Sequence, residues 1–336
     1  MGKKISMQNI ADELGITKVS VSKALNNKVG VSNVLREKII RTAKQMGYVM
    51  SAVNSKKKYN LSFVVPKRFF LETDRFYNII YYHLNARALS MGHRITLVVI
   101  DEYEEKNSKI PNCLTSPRPD GVFMVGQMRK SFCENVCSLG IPTVALDFYQ
   151  FGLDTDFVLA DNFFLGYWAA MELIKKGHEK IGFVGDPLST SSIADRYFGY
   201  VKGMTLANLS VDKSWLISNN DNENHEYTAD IGFPSDMPTA FICHCEMAAY
   251  FLKLTLENAG SSIPNDVSVI AFDDTDIGRT TMKELTTFNI GRHEIAETAL
   301  KHMLEQLNSD NKVRGRHYVH SRLIERSSIK DLNVEK

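Results

Sequence analysis

The fold of the N-terminal part of the chain is decided by residues 6–26, which read SMQNIADELGITKVSVSKALN. Ser6 is a favourable N-cap, and apolar residues recur after it at helical spacing until Gly15. This pattern predicts a short amphipathic helix over residues 7–14 that ends at the glycine. Thr17 is placed to cap a second helix after a tight turn.

The second predicted helix has two distinct faces. Val21, Ala24 and Leu25 fall on one face and are expected to pack inward. The other face is too polar and too basic to be buried, and it carries Lys18, Val19, Ser22 and Lys23. A third helix follows, with Ser32 as its N-cap and Gly47 at its end.

Two short helices joined by a tight turn, with a polar second helix, form the helix-turn-helix arrangement that enters the major groove of DNA. Lysine can donate to guanine and a valine methyl can contact thymine, so the predicted base-reading residues are Lys18, Val19 and Lys23. Side chains that can hold phosphates surround them, and the predicted backbone contacts are Ser6, Thr17, Ser20, Ser22 and Asn26. The alternatives are a capping role alone for the hydroxyls and a solvated surface for the lysines.

The charge of the chain is distributed unevenly. Residues 1–60 hold twelve Lys or Arg against three Asp or Glu, a net charge of +9, and since the whole chain carries +1 the remainder carries −8. A basic N-terminal module on an acidic body is the asymmetry expected when one end meets nucleic acid. A basic segment that is merely solvated is the alternative explanation.

Length and composition bound the remaining possibilities. A chain of 336 residues is long enough for two or three folded units. The first residues lack the apolar stretch of a signal peptide, and no apolar run is long enough to span a membrane. Five cysteines do not suggest a disulfide framework. We therefore expect a cytoplasmic protein with reduced thiols and no membrane contact.

The larger part of the chain has an α/β pattern. Short apolar runs alternate with helical stretches from Leu61 onward, which predicts βαβ units with mostly parallel sheets. Strands are expected at 61–65, 95–100, 121–125, 143–146, 180–184, 239–242 and 267–272. Helices are expected at 76–91, 165–176, 193–206, 247–259 and 295–307. No glycine-rich phosphate loop follows a strand, so we expect neither a nucleotide cofactor nor an enzyme.

The N-terminal motif closely resembles the headpiece of the LacI/GalR family of transcription regulators. The resemblance rests on residues 5–17 and 21–26, on Val31-Ser32, on 36–39 and on Gly47-Tyr48, in the order and spacing of that family. It implies a homodimer that reads a pseudo-palindromic operator in double-stranded DNA. It also implies a headpiece at 1–49, a hinge at 50–60 and an effector and dimerisation domain at 61–336.

The same resemblance covers the effector domain, through segments such as Asp161-Asn162, 181–185, 266–270 and 272–274. It implies two periplasmic-binding-protein-like lobes, at about 61–160 with 291–319 and at about 161–290 with 320–336, which enclose a ligand cleft. Crossings between the lobes are expected near 161, 290 and 319. The residues at the family's ligand-gripping positions are Arg196, Asp273, Ser192 and Asp147, and the implied effector is a sugar or sugar derivative. An alternative for Arg196 is a pairing with Asp195 or a helix.

The sequence departs from the family pattern in the hinge and in the cleft. Lys57 stands where the family has a leucine that wedges into the minor groove, and a hydrated ammonium cannot replace such a wedge. We therefore expect Lys56, Lys57 and Lys58 to contact phosphates, with little or no central kink. Residues 243–246 read Cys-His-Cys-Glu where Ala-x-Asn-Asp is common, and His244 is expected to replace the ligand-facing asparagine. The two cysteines and the histidine point to opposite sides of an extended segment, so no metal is expected there.

These features predict a repressor of a carbohydrate-utilisation operon whose operator affinity depends on a small ligand. A solute receptor would share the lobes but would have a signal peptide and no headpiece. An enzyme built on the cleft would need a nucleophile or metal motif that the sequence lacks. A DNA-binding regulator controlled by a protein co-regulator, or without an effector response, stays open as an alternative.

Overall fold

The computed structural model describes residues 5–25, 30–46, 48, 57–70, 76–218, 231–309 and 314–334. The chain forms two compact units, Met1–Lys57 and Lys58–Lys336. The boundary between these units falls inside the expected hinge, 50–60.

The first unit is a three-helix headpiece with its own small core. Its helices are α1 (Met7–Leu14), α2 (Lys18–Leu25) and α3 (Asn33–Gln45). Ser6 and Asn9 form a reciprocal capping box at the start of α1, and Gly15 ends that helix with a left-handed backbone at φ +63°. Residues from all three helices meet in the interior, namely Ile10, Ala11, Val21, Ala24, Ile39 and Ala43. The predicted helices and their inward faces are thus confirmed, while Gly47, the expected end of the third helix, lies outside the described residues.

The second unit contains two six-stranded sheets. The first sheet has the order β11-β5-β4-β3-β1-β2, and all of its pairings are parallel. Its strands are β1 (Asn60–Pro66), β2 (Arg94–Ile100), β3 (Gly121–Val125), β4 (Thr143–Leu146), β5 (Asp156–Ala160) and β11 (Arg316–Val319). The helices of this lobe, called lobe 1 below, are α4 (Phe76–Ser90), α5 (Glu102–Lys106), α6 (Lys130–Ser138) and α11 (Arg292–Asn308). A single 3-10 turn, Lys67–Phe69, follows β1 directly.

The second sheet has the order β12-β10-β9-β8-β6-β7. Its strands are β6 (Ile181–Val184), β7 (Leu216–Ile217), β8 (Ala240–Cys243), β9 (Ser268–Asp273), β10 (Thr286–Asn289) and β12 (Arg322–Ile324). The last of these pairs antiparallel with β10, so the expectation of mostly parallel sheets holds with one edge strand reversed. The lobe built on this second sheet is called lobe 2 below. Its helices are α7 (Asn162–Lys175), α8 (Ser191–Leu206), α9 (Glu246–Asn258) and α10 (Asp276–Thr280).

The chain passes between the two sheets three times. It leaves the first sheet after Ala160, returns after Asn289 and leaves again after Val319. These positions agree with the crossings expected near 161, 290 and 319. All seven predicted strands and all five predicted helices of this unit are present within a few residues of their expected bounds.

The sequence pattern missed the shortest elements. Strands β5, β7, β10, β11 and β12 and helices α5, α6 and α10 were not predicted. Except for α6, which has nine residues, these elements are runs of two to five residues, and such runs carry little periodicity. Residues 101–119, between β2 and β3, contain only α5 and one 3-10 turn, Asn112–Leu114. Residues 219–230 lie outside the described part of the chain, and residues 231–237 contain neither helix nor strand. Among the described helices, none is long and apolar enough to cross a membrane.

Candidate functional site

The first candidate site is the outward face of α2. Val19 is 63% exposed, so most of this branched apolar side chain lies in solvent. Lys18 is exposed beside it, while Lys23 is half-buried and its ammonium lies near Gly30. The opposite face of the helix holds buried Val21 and Ala24. The helix therefore presents one apolar and two cationic side chains on a rigid three-helix support.

The hydroxyl groups around α2 also have local structural roles. The Thr17 hydroxyl accepts a 3.1 Å hydrogen bond from the Ser20 amide, and the two hydroxyls lie 3.0 Å apart. The Ser6 hydroxyl accepts from the Asn9 amide at 3.3 Å. These contacts agree with the capping alternative, and phosphate contact stays a prediction. Ser22 is half-buried, while Lys57 and Lys58 are exposed; Asn26 and Lys56 lie outside the described residues.

The second candidate site is a small cavity of about 100 Å³ between the strand ends of the two sheets. All five residues predicted for the effector cleft line it, namely Asp147, Ser192, Arg196, His244 and Asp273. The carboxyl ends of parallel strands are the usual place for ligands in α/β proteins. The structure therefore brings together side chains that are up to 126 positions apart in the sequence, from Asp147 to Asp273.

Arg196 is the central cation of the cavity and is almost fully buried. Its Nε donates to the Asn162 side chain at 2.8 Å, and its Nη1 donates to the main-chain oxygen of His244. Its Nη2 lies 3.5 Å from the Asp273 carboxylate, and its guanidinium carbon lies 4.5 Å from the centre of the Phe272 ring. The alternative pairing with Asp195 does not occur. Arg196 is instead held rigidly by neutral and anionic partners of lobe 2, which preorganises its position.

The position of Arg196 depends on a close approach between α7 and α8. A Cβ at Gly166 would lie 1.9 Å from the main-chain oxygen of Arg196. Only a glycine permits this approach, because no rotamer could relieve a clash with backbone. Gly166 of α7 therefore sets the depth at which Arg196 lies in the cavity.

Asp147 and Asp273 stand at strand ends with strained backbones. Asp147 follows β4 with φ +63°, and Asp273 ends β9 with φ +108°. Non-glycine residues rarely adopt such values, and they persist where the surrounding structure enforces them, often at functional sites. The Tyr77 hydroxyl donates to Asp147 Oδ2 at 2.7 Å, whereas buried Oδ1 has no hydrogen-bond partner among the described residues. Burial raises the pKa of the Asp147 carboxyl.

His244 is a neutral member of the cavity wall. Burial, assisted by the nearby charge of Arg196, lowers the pKa of its imidazole to about 3. Its Nε2 lies 3.8 Å from the Cys245 sulfur, which in turn accepts from the Ala248 amide at the start of α9. Counted position by position, the asparagine of the family pattern falls on Cys245 rather than on His244. Both residues line the cavity, so both are candidates for the position that the asparagine takes in the family.

Three aromatic side chains form the wall contributed by lobe 1. They are Phe69, Phe76 and Tyr77, with Tyr77 inclined against Phe69 at 5.6 Å and edge-on against Phe76 at 5.0 Å between ring centroids. Arg68, the neighbour of Phe69, does not line the cavity; it pairs with Glu105 and donates to the main-chain oxygen of Gln127. The sequence does not distinguish the aromatic residues at the start of α4 from core residues, because apolar residues at helical spacing carry no separate signal for a ligand.

Asp274 supports the cavity from behind without lining it. Its carboxylate accepts from Arg279 at 2.7 Å, from Arg326 at 2.9 Å and from the Asn289 amide at 2.9 Å. These donors hold the pKa of the buried Asp274 carboxyl well below its usual range. The start of the following helix, α10, is held by Glu246 and not by Asp274, because Glu246 accepts from the amides of Thr275 and Gly278. The network fixes the backbone turn that presents Asp273.

Hydrogen bonds also join the two lobes beside the cavity. The Tyr149 hydroxyl donates to Asp195 at 2.8 Å, and the Tyr149 amide donates to the Ser191 hydroxyl at 3.1 Å. The Gln127 side-chain oxygen accepts from the Ser191 amide at 3.0 Å. Tyr149 and Gln127 follow strands of lobe 1, while Ser191 and Asp195 belong to α8 of lobe 2. The lobes are therefore held together by contacts that a domain rotation would break.

Comparison with known proteins matches both units. A family model of the periplasmic binding protein-like domain matches residues 170–329. The HTH-type transcriptional repressor PurR of Mannheimia succiniciproducens is 25% identical over 335 residues, which cover 97% of this chain and 99% of the repressor. PurR of Photobacterium profundum is 24% identical, with coverage of 98% and 99%.

Solved structures share the fold over almost the whole chain. The complex of the transcriptional regulator CelR with cellobiose has a TM-score of 0.70 and 20% identity, and the match covers 97% of this chain and 100% of CelR. The lac repressor dimer, bound to operator and the anti-inducer ONPF, has a TM-score of 0.67 and 17% identity, with coverage of 98% and 100%. The matches to CelR and to the lac repressor extend over both units of this chain. The chain is thus similar over almost its whole length to HTH-type transcriptional repressors, and its second unit matches the periplasmic binding protein-like domain.

Proposed function

We propose that this chain is a sequence-specific DNA-binding repressor whose operator affinity is controlled by a small ligand in the cleft between its lobes. The observation that carries the DNA-binding role is the exposed face of α2, with Val19 63% exposed on a helix whose other face is fully packed. The repressors that match it over nearly its whole length support a regulator and not an enzyme. Its place of action is the compartment that contains DNA, the cytoplasm of a bacterium.

In this proposal Lys18, Val19 and Lys23 contact base edges in the major groove. The lysine ammonium groups donate to guanine, and the Val19 methyl groups contact thymine. Backbone contacts come from Ser6, Thr17, Ser20, Ser22 and Asn26. A homodimer presents two such helices to a pseudo-palindromic operator, as the operator-bound dimer of the lac repressor supports by its similarity.

The hinge of this chain differs in its chemistry from an apolar wedge. Lys57 and Lys58 are exposed, and together with Lys56 they give three consecutive cations. We infer that they neutralise phosphates rather than unstack a base step, so the operator centre stays close to straight. A circular-permutation bending assay on the bound operator tests this. A kink comparable with that of a wedge-inserting protein would contradict it.

The proposed effector is a sugar or sugar derivative. Two carboxylates, a fixed guanidinium and an aromatic wall at strand ends form a set of groups that can hold adjacent hydroxyls against an apolar ring face. The cellobiose complex of CelR supports this ligand class. A ligand that binds the DNA-competent and incompetent states with about 100-fold different affinity would change the operator free energy by about 2.7 kcal/mol. We propose that the regulated genes serve carbohydrate use.

The first experiment is selection of bound genomic fragments, followed by footprinting and by a salt titration. Neutralisation of about 6 to 10 phosphates gives a slope of about −5 to −9 for log affinity against log salt. Binding that is independent of salt, or that leaves no footprint, contradicts the DNA-binding role. A panel of sugars is then tested for release of that fragment by the wild type and by Asp147→Asn. If no sugar acts on the wild type, the alternative of a protein co-regulator or of no effector response is favoured.

A further inference from the structure

A cluster of metal-binding side chains lies in lobe 1, at the opposite end of the sheet from the cleft. Asp156, at the start of β5, His302 of α11 and His317 of β11 each offer one donor atom, and these atoms all lie within 4.8 Å of one another. We propose that these three residues bind a divalent transition-metal ion of the zinc class. This inference goes beyond the proposed function and does not depend on it.

The donor set fits such an ion. Two imidazole nitrogens and one carboxylate oxygen are the ligands of many zinc sites in which the protein leaves a fourth position open. A cavity of about 770 Å³ adjoins the cluster and is lined by Asp156 and His302 among other residues. The open position would therefore face water or a small ligand. Hard cations such as magnesium prefer oxygen donors and are disfavoured by two imidazoles.

Neighbouring side chains fix the orientation of the proposed ligands, as outer hydrogen-bond partners do in metal sites. His302 Nδ1 lies 3.1 Å from the Glu305 carboxylate, which leaves Nε2 as the nitrogen available to an ion. A carboxylate behind a ligating histidine is the usual way in which proteins fix the tautomer and the ring orientation.

Asp156 is similarly fixed. Its side chain is only 4% exposed, and its Oδ1 accepts from the Gly315 amide at 3.0 Å and lies 3.0 Å from His317 Nε2. Its Oδ2 accepts from the Gln306 amide at 2.6 Å and lies 3.5 Å from Arg314 Nη1. The cationic Arg314 thus faces Oδ2, whereas His317 contacts Oδ1. An ion bound at Oδ1 would replace the hydrogen bond to His317 without displacing the arginine.

One rearrangement is needed for binding. The rings of His302 and His317 are stacked, with centroids 3.5 Å apart and planes 19° from parallel, so their lone pairs run side by side. Ligand atoms of a tetrahedral zinc ion lie about 3.3 Å apart and converge on it. The His302 ring borders the cavity, and a turn of this ring toward His317 and Asp156 would bring the three donor atoms together. Binding would then tie β5, α11 and β11 together, directly before the third crossing between the lobes.

The test uses the untagged full-length protein, stripped with a chelator and titrated with Co²⁺ as the spectroscopic probe and Zn²⁺ as competitor. We expect one Co²⁺ per chain, visible d–d absorption of tetrahedral or five-coordinate intensity, no thiolate charge-transfer band, and displacement by Zn²⁺ with a rise in melting temperature. His302→Gln should weaken binding at least tenfold, and Glu305→Gln about tenfold, the scale measured for outer partners of ligands. His83→Gln is the matched control, because His83 belongs to a separate histidine pair with His293.

Circular dichroism of each stripped variant shows whether it is folded. If His302→Gln does not fold, Glu305→Gln decides the matter, since Glu305 is exposed and lies outside the donor set. No Co²⁺ binding by the wild type would overturn the proposal, because the cluster would then be only a hydrogen-bonded histidine pair. A thiolate band would place the ion at one of the five cysteines and would also overturn the proposal. Equal Co²⁺ binding by the wild type and by a folded Glu305→Gln or His302→Gln protein would also overturn the proposal.

Discussion

The hydroxyl of Tyr149 donates a 2.8 Å hydrogen bond to the carboxylate of Asp195, and so links lobe 1 to helix α8 of lobe 2. The carboxylate is half-buried, and burial raises its pKa, so losing its donor leaves a poorly solvated acceptor. This contact is one of the few side-chain interactions whose strength can set how readily the lobes separate.

Tyr149→Phe should favour separation of the lobes. Loss of one hydrogen bond to a carboxylate costs about 1.5 kcal/mol, which weakens the closed form by roughly tenfold. Hydrogen exchange at the amides of 190–196 should become faster, because they lie at the start of α8 beside this contact. Tyr82→Phe is the matched control, since Tyr82 is 68% exposed. Unchanged exchange at 190–196 would show that the contact does not hold the lobes.

Gly166→Ala should displace Arg196 and impair the cleft. The added methyl would lie 1.9 Å from the main-chain oxygen of Arg196, so α7 and α8 must move apart. Overpacking of this kind costs about 1–3 kcal/mol, measured as the free energy of unfolding in urea. Gly232→Ala is the control, because a Cβ there has nothing within 4 Å. Equal stability of the two variants would contradict the close approach.

His244 should make the protein acid-sensitive. The pKa of its imidazole falls from 6.5 to about 3 on folding, so between these values the unfolded chain binds a proton that the folded chain does not. The contribution of the neutral His244 imidazole to the free energy of unfolding is complete above pH 6.5. It is lost as the pH falls toward 3, by an amount on the order of several kcal/mol.

Urea denaturation at pH 7 and pH 5 measures this effect. His244→Gln should lose less stability than the wild type between the two values, since glutamine does not titrate. His320→Gln exchanges an exposed histidine and should behave like the wild type. If His244→Gln loses as much stability as the control, the neutral buried imidazole is not the cause.

Val19→Ala and Lys18→Ala should relax sequence preference without abolishing DNA binding. Each direct contact to a base edge contributes about 1–3 kcal/mol of discrimination, whereas phosphate contacts give affinity for all sequences alike. The ratio of operator to random-DNA affinity should fall about fivefold or more, and the salt dependence for Val19→Ala should stay unchanged. Val34→Ala, at an 81% exposed position of α3, is the control for the valine. An unchanged ratio would remove Val19 from the base-reading face.

The headpiece and the longer elements of the lobes could be predicted from the sequence because their signals are local. Ser6, Gly15 and Thr17 mark helix ends by backbone chemistry that involves only the next few residues. Strands such as β3 and β4 are buried on both faces and therefore stand out as apolar runs. The five cleft residues were found by resemblance, which supplies long-range information that the periodicity of one sequence lacks.

The partners of those residues could not be predicted. Arg196 is held by Asn162 and by the main-chain oxygen of His244, which are 34 and 48 positions away. The expected alternative partner, Asp195, is its neighbour in sequence but points to Tyr149 instead. A helix sends successive side chains about 100° apart, so adjacency in the chain is a poor guide to contact.

The sequence by itself determined the two-part organisation, the three headpiece helices, the exposed face with Val19 and the alternating pattern of the lobes. Caps and hydrophobic periodicity act over a few residues and so can be read along the chain. Only the tertiary structure decided which side chains meet across strand ends, from the cavity around Arg196 to the cluster of Asp156, His302 and His317. In this cluster, Asp156 and His317 are in contact although they lie 161 positions apart in the sequence. Such long-range contacts depend on the order of strands in the sheets, which no local sequence pattern encodes.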